Sequence, residues 1–167
     1  MSLESQNRIF DILRGRGLLS SSIQKVIQGF MDRWGVDAFR AMIETNVVEE
    51  SKMADVLSEA LKLPRLRGIA SLAIPPEVFA CIPYNLALEL VVFPFELTSD
   101  SRLHVVFADP SDSAKLNKLI EYTNKPIEQF VGERTEIIAA IQRHYPLTLQ
   151  LPSLLSGRGP ADEGHNP

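Results

Sequence analysis

The sequence predicts an α+β protein in which a helical subdomain of two tandem helix-turn-helix-like repeats precedes a β-β-α-β-α unit with a small three-stranded sheet. Three observations predict it. Before residue 64 the apolar residues recur only at helical spacing. The same stretch superposes on itself when shifted by 29 residues, the separation of Phe10 and Phe39. Over 91–145 the pattern then switches between strand-like runs and helical spacing in a fixed order of two strands, a helix, a third strand and a last helix.

The repeat register places Leu13 on Met42, Gly17 on Asn46, Leu18-Leu19 on Val47-Val48, and Ser20-Ser21-Ser22 on Glu49-Glu50-Ser51. Each copy reads as a helix, a stop and a second helix. Gly17 and Asn46 are the two residue types that best tolerate positive φ just past a helix end. Ser20 is a good N-cap for the helix that follows; Glu49, at the same place in the second copy, is a poorer one. Leu63-Pro64 closes the helical part, and 66–74 is predicted to be extended before Pro75-Pro76. Pro76 and Pro83 suit first helical positions, which predicts short helices over 77–82 and 84–90.

In the second half, Val91, Val92, Phe93, Phe95 and Leu97 form a β-rich run. Thr98-Ser99-Asp100-Ser101 links it to Leu103, Val105, Val106 and Phe107, which predicts a hairpin. Asp109-Pro110-Ser111-Asp112 breaks the strand and offers a turn and a helix cap, after which Leu116, Leu119 and Ile120 mark a helix. A third strand is predicted over 127–131 and ends at Gly132. Ile137, Ile138, Ala140, Ile141 and Tyr145 then mark one face of a final helix, with acids in its first turn and Arg143 and His144 in its last, as the helix dipole favours. The expected organisation is a helical subdomain over 1–63, a connector over 64–90, the β-β-α-β-α subdomain over 91–146 and a flexible tail over 147–167.

At 167 residues, 45% hydrophobic and 23% charged, the composition is that of an ordinary globular protein. A net charge of -4 argues against a large phosphate-binding surface, so no nucleic-acid partner is expected. No apolar run reaches the ~20 residues of a membrane span, and the first residues carry an acid and no apolar core, so neither membrane insertion nor secretion is expected. The expected location is the cytoplasm.

The chain offers little catalytic chemistry. It has no GxxxxGK[ST] loop, and Gly15-Arg16-Gly17 and Gly157-Arg158-Gly159 lack the preceding strand and the following lysine. His104, His144 and His165 lie far apart without metal-ligand spacing, and Cys81 is the only cysteine. His104 is expected to point outward from its strand, Cys81 to act as a small buried hydrophobe, and Trp34 to pack between the repeat halves rather than to anchor a partner. Asp109 and Asp112 sit at the C-terminal end of a strand, where ligands often bind, but Asp109 is expected to open a turn and Ser111 or Asp112 to cap the helix. No catalytic residue, metal ligand or cofactor is expected.

Leu63-Pro64, Pro76-Glu77, Ile82-Pro83-Tyr84-Asn85-Leu86-Ala87, Val92-Phe93-Pro94-Phe95, 103–112 with its Ala108-Asp109-Pro110-Ser111-Asp112, and the closing 136–145 together resemble the N-terminal domain of type II secretion and type IV pilus assembly ATPases. The resemblance covers about 8–146. It implies a domain that docks on the ATPase motor or on the cytoplasmic domain of an inner-membrane assembly protein. A subset of such domains, the MshEN domains, binds cyclic di-GMP through two tandem copies of a motif RLGxxLxxxGxxxxxxLxxxLxxQ, which would account for the repeat. At the motif positions the first copy carries Arg8, Ile9, Phe10, Leu13, Gly17, Gln24, Gln28 and Met31. The second carries Asp37, Ala38, Phe39, Met42, Asn46, Met53, Leu57 and Ala60. Both copies lack the first glycine and the final glutamine. The resemblance therefore implies a protein-interaction or regulatory module, with a cyclic di-GMP or other nucleotide sensor as the alternative. Cyclic di-GMP is expected not to bind, and Arg8, Leu13, Gly17, Asn46 and Leu57 are the degenerate nucleotide-motif positions. With no backbone cradle and no phosphate-binding lysine, the purified chain should release no phosphate from ATP above a buffer blank.

Overall fold

The computed structural model describes residues 2–146; the expected tail over 147–167, with His165 and Gly157-Arg158-Gly159, lies outside them. Four helices come first: α1 Leu3–Gly15, α2 Ser21–Trp34, α3 Ala38–Thr45 and α4 Glu50–Leu61. A 3-10 turn, Ile69–Ser71, and two short helices, α5 Pro76–Phe79 and α6 Tyr84–Leu90, connect these to the second half. There β1 Val92–Leu97, β2 Leu103–Phe107, α7 Ser113–Thr123, β3 Ile127–Val131 and α8 Arg134–His144 follow in the predicted order.

The duplication is visible in the backbone. Gly17 and Asn46 both adopt left-handed φ, 69° and 48°, at the two stops. Ile9 and Ala38, Leu13 and Met42, Leu19 and Val48, and Ile27 and Val56 stand at equivalent positions, and all eight are buried in one hydrophobic core. The helices pair across the copies: α1 packs on α4 and α2 on α3. The first helix of each repeat therefore covers the second helix of the other, so neither copy buries its apolar stripe alone. Their starts differ as the sequence predicts. Ser20 accepts a hydrogen bond from the Ile23 N–H, whereas Glu49 makes no side-chain cap bond.

The sheet has the order β1-β2-β3, with β1 antiparallel and β3 parallel to the central β2. Pro94 is tolerated because β1 is an edge strand, and the pairing slips between Pro94 and Glu96. The chain returns from β2 to β3 through α7. Gly132 then leaves the sheet where a Cβ would lie 2.5 Å from Val106 Cγ2 and 2.7 Å from Ile69 Cδ1, so any side chain there would force these two buried residues to shift. A second core forms between the sheet, α6 and α8. Tyr145, at the end of α8, places its hydroxyl 2.9 Å from the Phe79 carbonyl and 2.5 Å from that of Ile82, fastening the connector to the last helix.

Several expectations change in detail. The 66–74 segment is not continuously extended: Arg65 bridges to Val131, and Gly68 then turns left-handed and opens the 3-10 turn. The first short helix stops at Phe79, and Pro83 caps α6 from outside rather than occupying its first position. Val91 does not belong to β1; it ends α6 in a left-handed conformation, φ 51°, which costs a β-branched residue about 1–2 kcal/mol. Burial of its side chain offsets part of that cost. Trp34 is 61% exposed, stacked against Phe30 and Arg33 at the end of α2, because α2 lacks a helix on its outer side. Cys81 is only partly buried, its thiol directed at the Glu77 carbonyl.

The left-handed stop at Asn46 yields a stability test. Asn46→Gly should melt at or slightly above the parent temperature, whereas Asn46→Val should lose about 1 kcal/mol or more, because a β-branched side chain fits positive φ poorly. Equal melting temperatures for the two variants would contradict the assignment.

Candidate functional site

Between the second repeat and the sheet unit lies a cleft of about 650 Å³. Its helical wall is α3 and the inner face of α4, including Met53, Ala54 and Leu57. Its other wall comprises Val91, the β2–α7 turn and the start of α8. The sequence difference between the repeats explains why it forms there. Positions 24, 25 and 28 of α2 are Gln, Lys and Gln and are exposed, whereas their counterparts Met53, Ala54 and Leu57 are apolar and buried. Only α4 can therefore pack on the sheet unit, where Val131 of β3 joins the helical core.

The cleft is rich in charge of both signs. Asp37, Glu44, Glu50, Asp109 and Asp112 line it with three cations, Arg40, Lys115 and Arg134. Most of the acids are already engaged. Asp37 caps α3 by accepting from the Arg40 N–H at 2.8 Å, and Asp112 caps α7 by accepting from the Ala114 N–H at 3.0 Å. Asp109 accepts from the Ser111 N–H at 3.1 Å and from its hydroxyl at 2.5 Å. Burial pushes the Asp109 carboxyl above the usual range, more than the Ser111 hydrogen bonds and Lys115 pull it down. The turn and cap expected of Asp109 and Asp112 are what the geometry provides.

Two polar connections fasten the repeats to the sheet unit. Arg65, with only 11% of its side chain exposed, donates to Asp55 of α4 at 3.1 Å and to Glu133 before α8 at 2.7 Å. Its guanidinium also reaches the Leu66 and Val131 carbonyls. Arg67 donates to the same Asp55 oxygen at 2.6 Å. Burial would raise the Asp55 carboxyl, but hydrogen bonds and charge from Arg67 and Arg65 outweigh it and hold the group below its ordinary value. The second connection is Glu50, which accepts from the Thr135 N–H and hydroxyl, both at 2.7 Å.

The five degenerate motif positions do not converge. Asn46 and Leu57 line the cleft. Leu13 is fully buried in the helical core, and Gly17 is an exposed stop. Arg8 donates to the Ala60 carbonyl at 3.1 Å and lies 3.9 Å from Glu4. Phe39 is buried and Phe10 packs against the same core, so both rings serve the scaffold. Sequence reasoning missed Arg65, Glu50 and Thr135; the sole signal was an arginine among apolar residues just after Pro64. His104 is not freely solvated as expected. Its side chain is 17% exposed, with Nδ1 3.0 Å from Glu96 and Nε2 3.4 Å from Glu128, and the Phe95 and Phe130 rings flank it. Among the described residues no cluster of three metal-ligating side chains occurs, and no helix is long and apolar enough to cross a membrane.

A family model, the MshEN domain, matches residues 61–151. The chain is 27% identical over 158 residues to the type IV pilus assembly ATPase PilB of Thermus thermophilus, across 93% of this chain and 18% of that protein. It is 27% identical over 138 residues to PilB of Myxococcus xanthus, across 83% of this chain and 24% of that one. It thus spans about a fifth of the length of these curated relatives. Among solved structures, the N-terminal domain of XpsE aligns with a TM-score of 0.74 at 22% identity, covering 87% of this chain and 99% of that one. A structure of MshE with cdg aligns with a TM-score of 0.69 at 17% identity, covering 83% and 99%. At these identities the solved structures establish the shared fold. The chain belongs to the MshEN domain family, the type of N-terminal domain carried by secretion and pilus assembly ATPases.

The Arg65 connection sets an expected acid response. The Asp55 carboxyl titrates lower folded than its ordinary value of 3.8. Its contribution to stability is therefore complete above that value and is lost as pH falls through the lower folded value. Asp55→Asn should flatten the loss of melting temperature below about pH 4. Arg65→Met at neutral pH should cost about 3 kcal/mol by chemical denaturation, since it takes from Glu133 its cation and leaves Asp55 with Arg67 alone.

Proposed function

We propose that this chain is a non-catalytic regulatory domain that docks on a secretion or pilus ATPase motor, or on the cytoplasmic domain of an inner-membrane assembly protein. It would work in the cytoplasm and reach the membrane through that partner. The observation that carries this reading is that the fold aligns with 99% of the solved N-terminal domain of XpsE, while the sequence has no phosphate loop. In and beside the cleft, Asp37 and Asp112 cap helices and Asp55 and Glu50 join elements.

The rival reading is a cyclic di-GMP sensor, favoured by the shared fold with MshE, which was solved with cdg. The side chains weigh against it. The aromatic rings at the two lost glycine positions are held by the helical core, and Asp37 stands where the motif has arginine. Arg8, the retained motif arginine, is engaged with Ala60. In the cleft, carboxyl groups outnumber cations, which disfavours a ligand carrying two phosphates.

Calorimetry separates the readings. Saturable binding to the motor segment of an assembly ATPase from the same host, or to the cytoplasmic domain of its inner-membrane partner, supports docking; no heat with either overturns it. Titration with cyclic di-GMP should give no saturable heat, and a dissociation constant of about 1 μM or tighter, roughly 8 kcal/mol, would promote the sensor.

A further inference from the structure

We infer that the sheet face around His104 is the surface that receives an arginine-bearing segment of the docking partner. The inference rests on the docking reading above and adds to it the place of contact and the partner's chemistry. The strand register sets Glu96, His104 and Glu128 side by side across β1, β2 and β3. In β1 the pairing passes from Pro94 opposite Val105 to Glu96 opposite His104, so Phe95 has no partner in the ladder. Such a bulge breaks the strict alternation of faces along a strand. The successive residues Phe95 and Glu96 therefore both reach His104: the Phe95 ring centroid lies 5.9 Å from that of His104, and the Glu96 carboxylate lies 3.0 Å from Nδ1. Strand β3 brings the same two kinds of group from the other side. Glu128 lies 3.4 Å from His104 Nε2, and the Phe130 ring lies 5.3 Å from the imidazole. Phe95 and Phe130 meet edge to face at 4.9 Å.

Each outer strand thus contributes one ring and one carboxylate to the same place. That combination is what a guanidinium binds, since carboxylates accept its fork of N–H donors and aromatic faces attract its charge. The groups are accessible. Phe93, earlier on β1, is fully buried against His144 and Tyr145, whereas Phe95 and Phe130 are only partly buried. Although both carboxylates touch His104, the Glu96 and Glu128 side chains remain 58% and 47% exposed. Arg102 approaches Glu128 at 3.7 Å but is shared with Asp100 at 3.8 Å, so Glu96, Asp100 and Glu128 stand around one fixed cation. This excess of negative charge selects a basic segment and repels an acidic one.

Two titrations of the full chain test the inference on the parent, on Glu96→Gln/Glu128→Gln, which keeps the shapes and removes the charges, and on Phe95→Leu, which stays apolar and removes the ring. The first uses N-acetyl-arginine amide, with N-acetyl-glutamine amide as control, followed by nuclear magnetic resonance. Arginine should shift the Phe95, His104 and Phe130 signals saturably, and the double variant should bind it about tenfold more weakly, as expected for loss of charge-assisted hydrogen bonds. Phe95→Leu should weaken it too. The second is calorimetry with the motor segment or the inner-membrane partner's cytoplasmic domain, whichever binds the parent. Its affinity should fall about tenfold in the double variant and decline with added salt in the parent. Should the double variant unfold, Glu96→Gln and Glu128→Gln singly serve the same comparisons. Equal shifts with both small probes, arginine shifts away from His104, or equal partner affinity in parent and double variant overturns the proposal. If neither protein binds the parent, the docking reading fails, and the arginine titration alone decides whether this face takes a guanidinium.

Discussion

The placement of the helical repeats on the sheet unit depends on one largely buried guanidinium. Arg65 follows directly on the proline that ends the helical part, and it reaches back to Asp55 and forward to Glu133. Removing such a charge from water is costly, and the cost is recovered only when both carboxylates and the local carbonyls are in place. The same demand explains a second feature. Because Glu133 is drawn to Arg65, α8 is left uncapped by its own N-cap residue, and Glu50 becomes the acceptor for Thr135. Two polar contacts that look separate thus follow from one constraint.

The two repeats show how a duplicated scaffold diverges without losing its form. Equivalent core positions remain apolar, and both stops remain left-handed. What differs is one face of the second helix. In α4 it is apolar and lies on the sheet unit, while in α2 it is polar at Gln24, Lys25 and Gln28. Pairing each first helix with the other copy's second helix makes the two copies interdependent, so α2 keeps its place although Trp34 is left at the surface. The motif glycines that would bring backbone close to a flat ligand are replaced by Phe10 and Phe39, whose rings add to the core instead.

The sequence alone determined the order of elements, the strand limits of β2 and β3, the duplication and the absence of a phosphate loop, since these depend on local period, stop residues and short motifs. The cap at Ser20 was legible for the same reason, and that at Asp112 as one of two candidates with Ser111: a cap is made within three residues. Only the tertiary structure decided the left-handed Val91, the enclosure of His104, the exposure of Trp34 and the Glu50, Arg65 and Thr135 contacts. The Arg65–Asp55 and Glu50–Thr135 contacts join residues 10 and 85 positions apart in the sequence, and no local pattern records which distant carboxylate will meet which helix end. The position of α4 on the sheet is intermediate. Met53, Ala54 and Leu57 stand in the sequence as apolar residues, but that their face of α4 meets β3 and shapes the cleft depends on the whole fold closing around it.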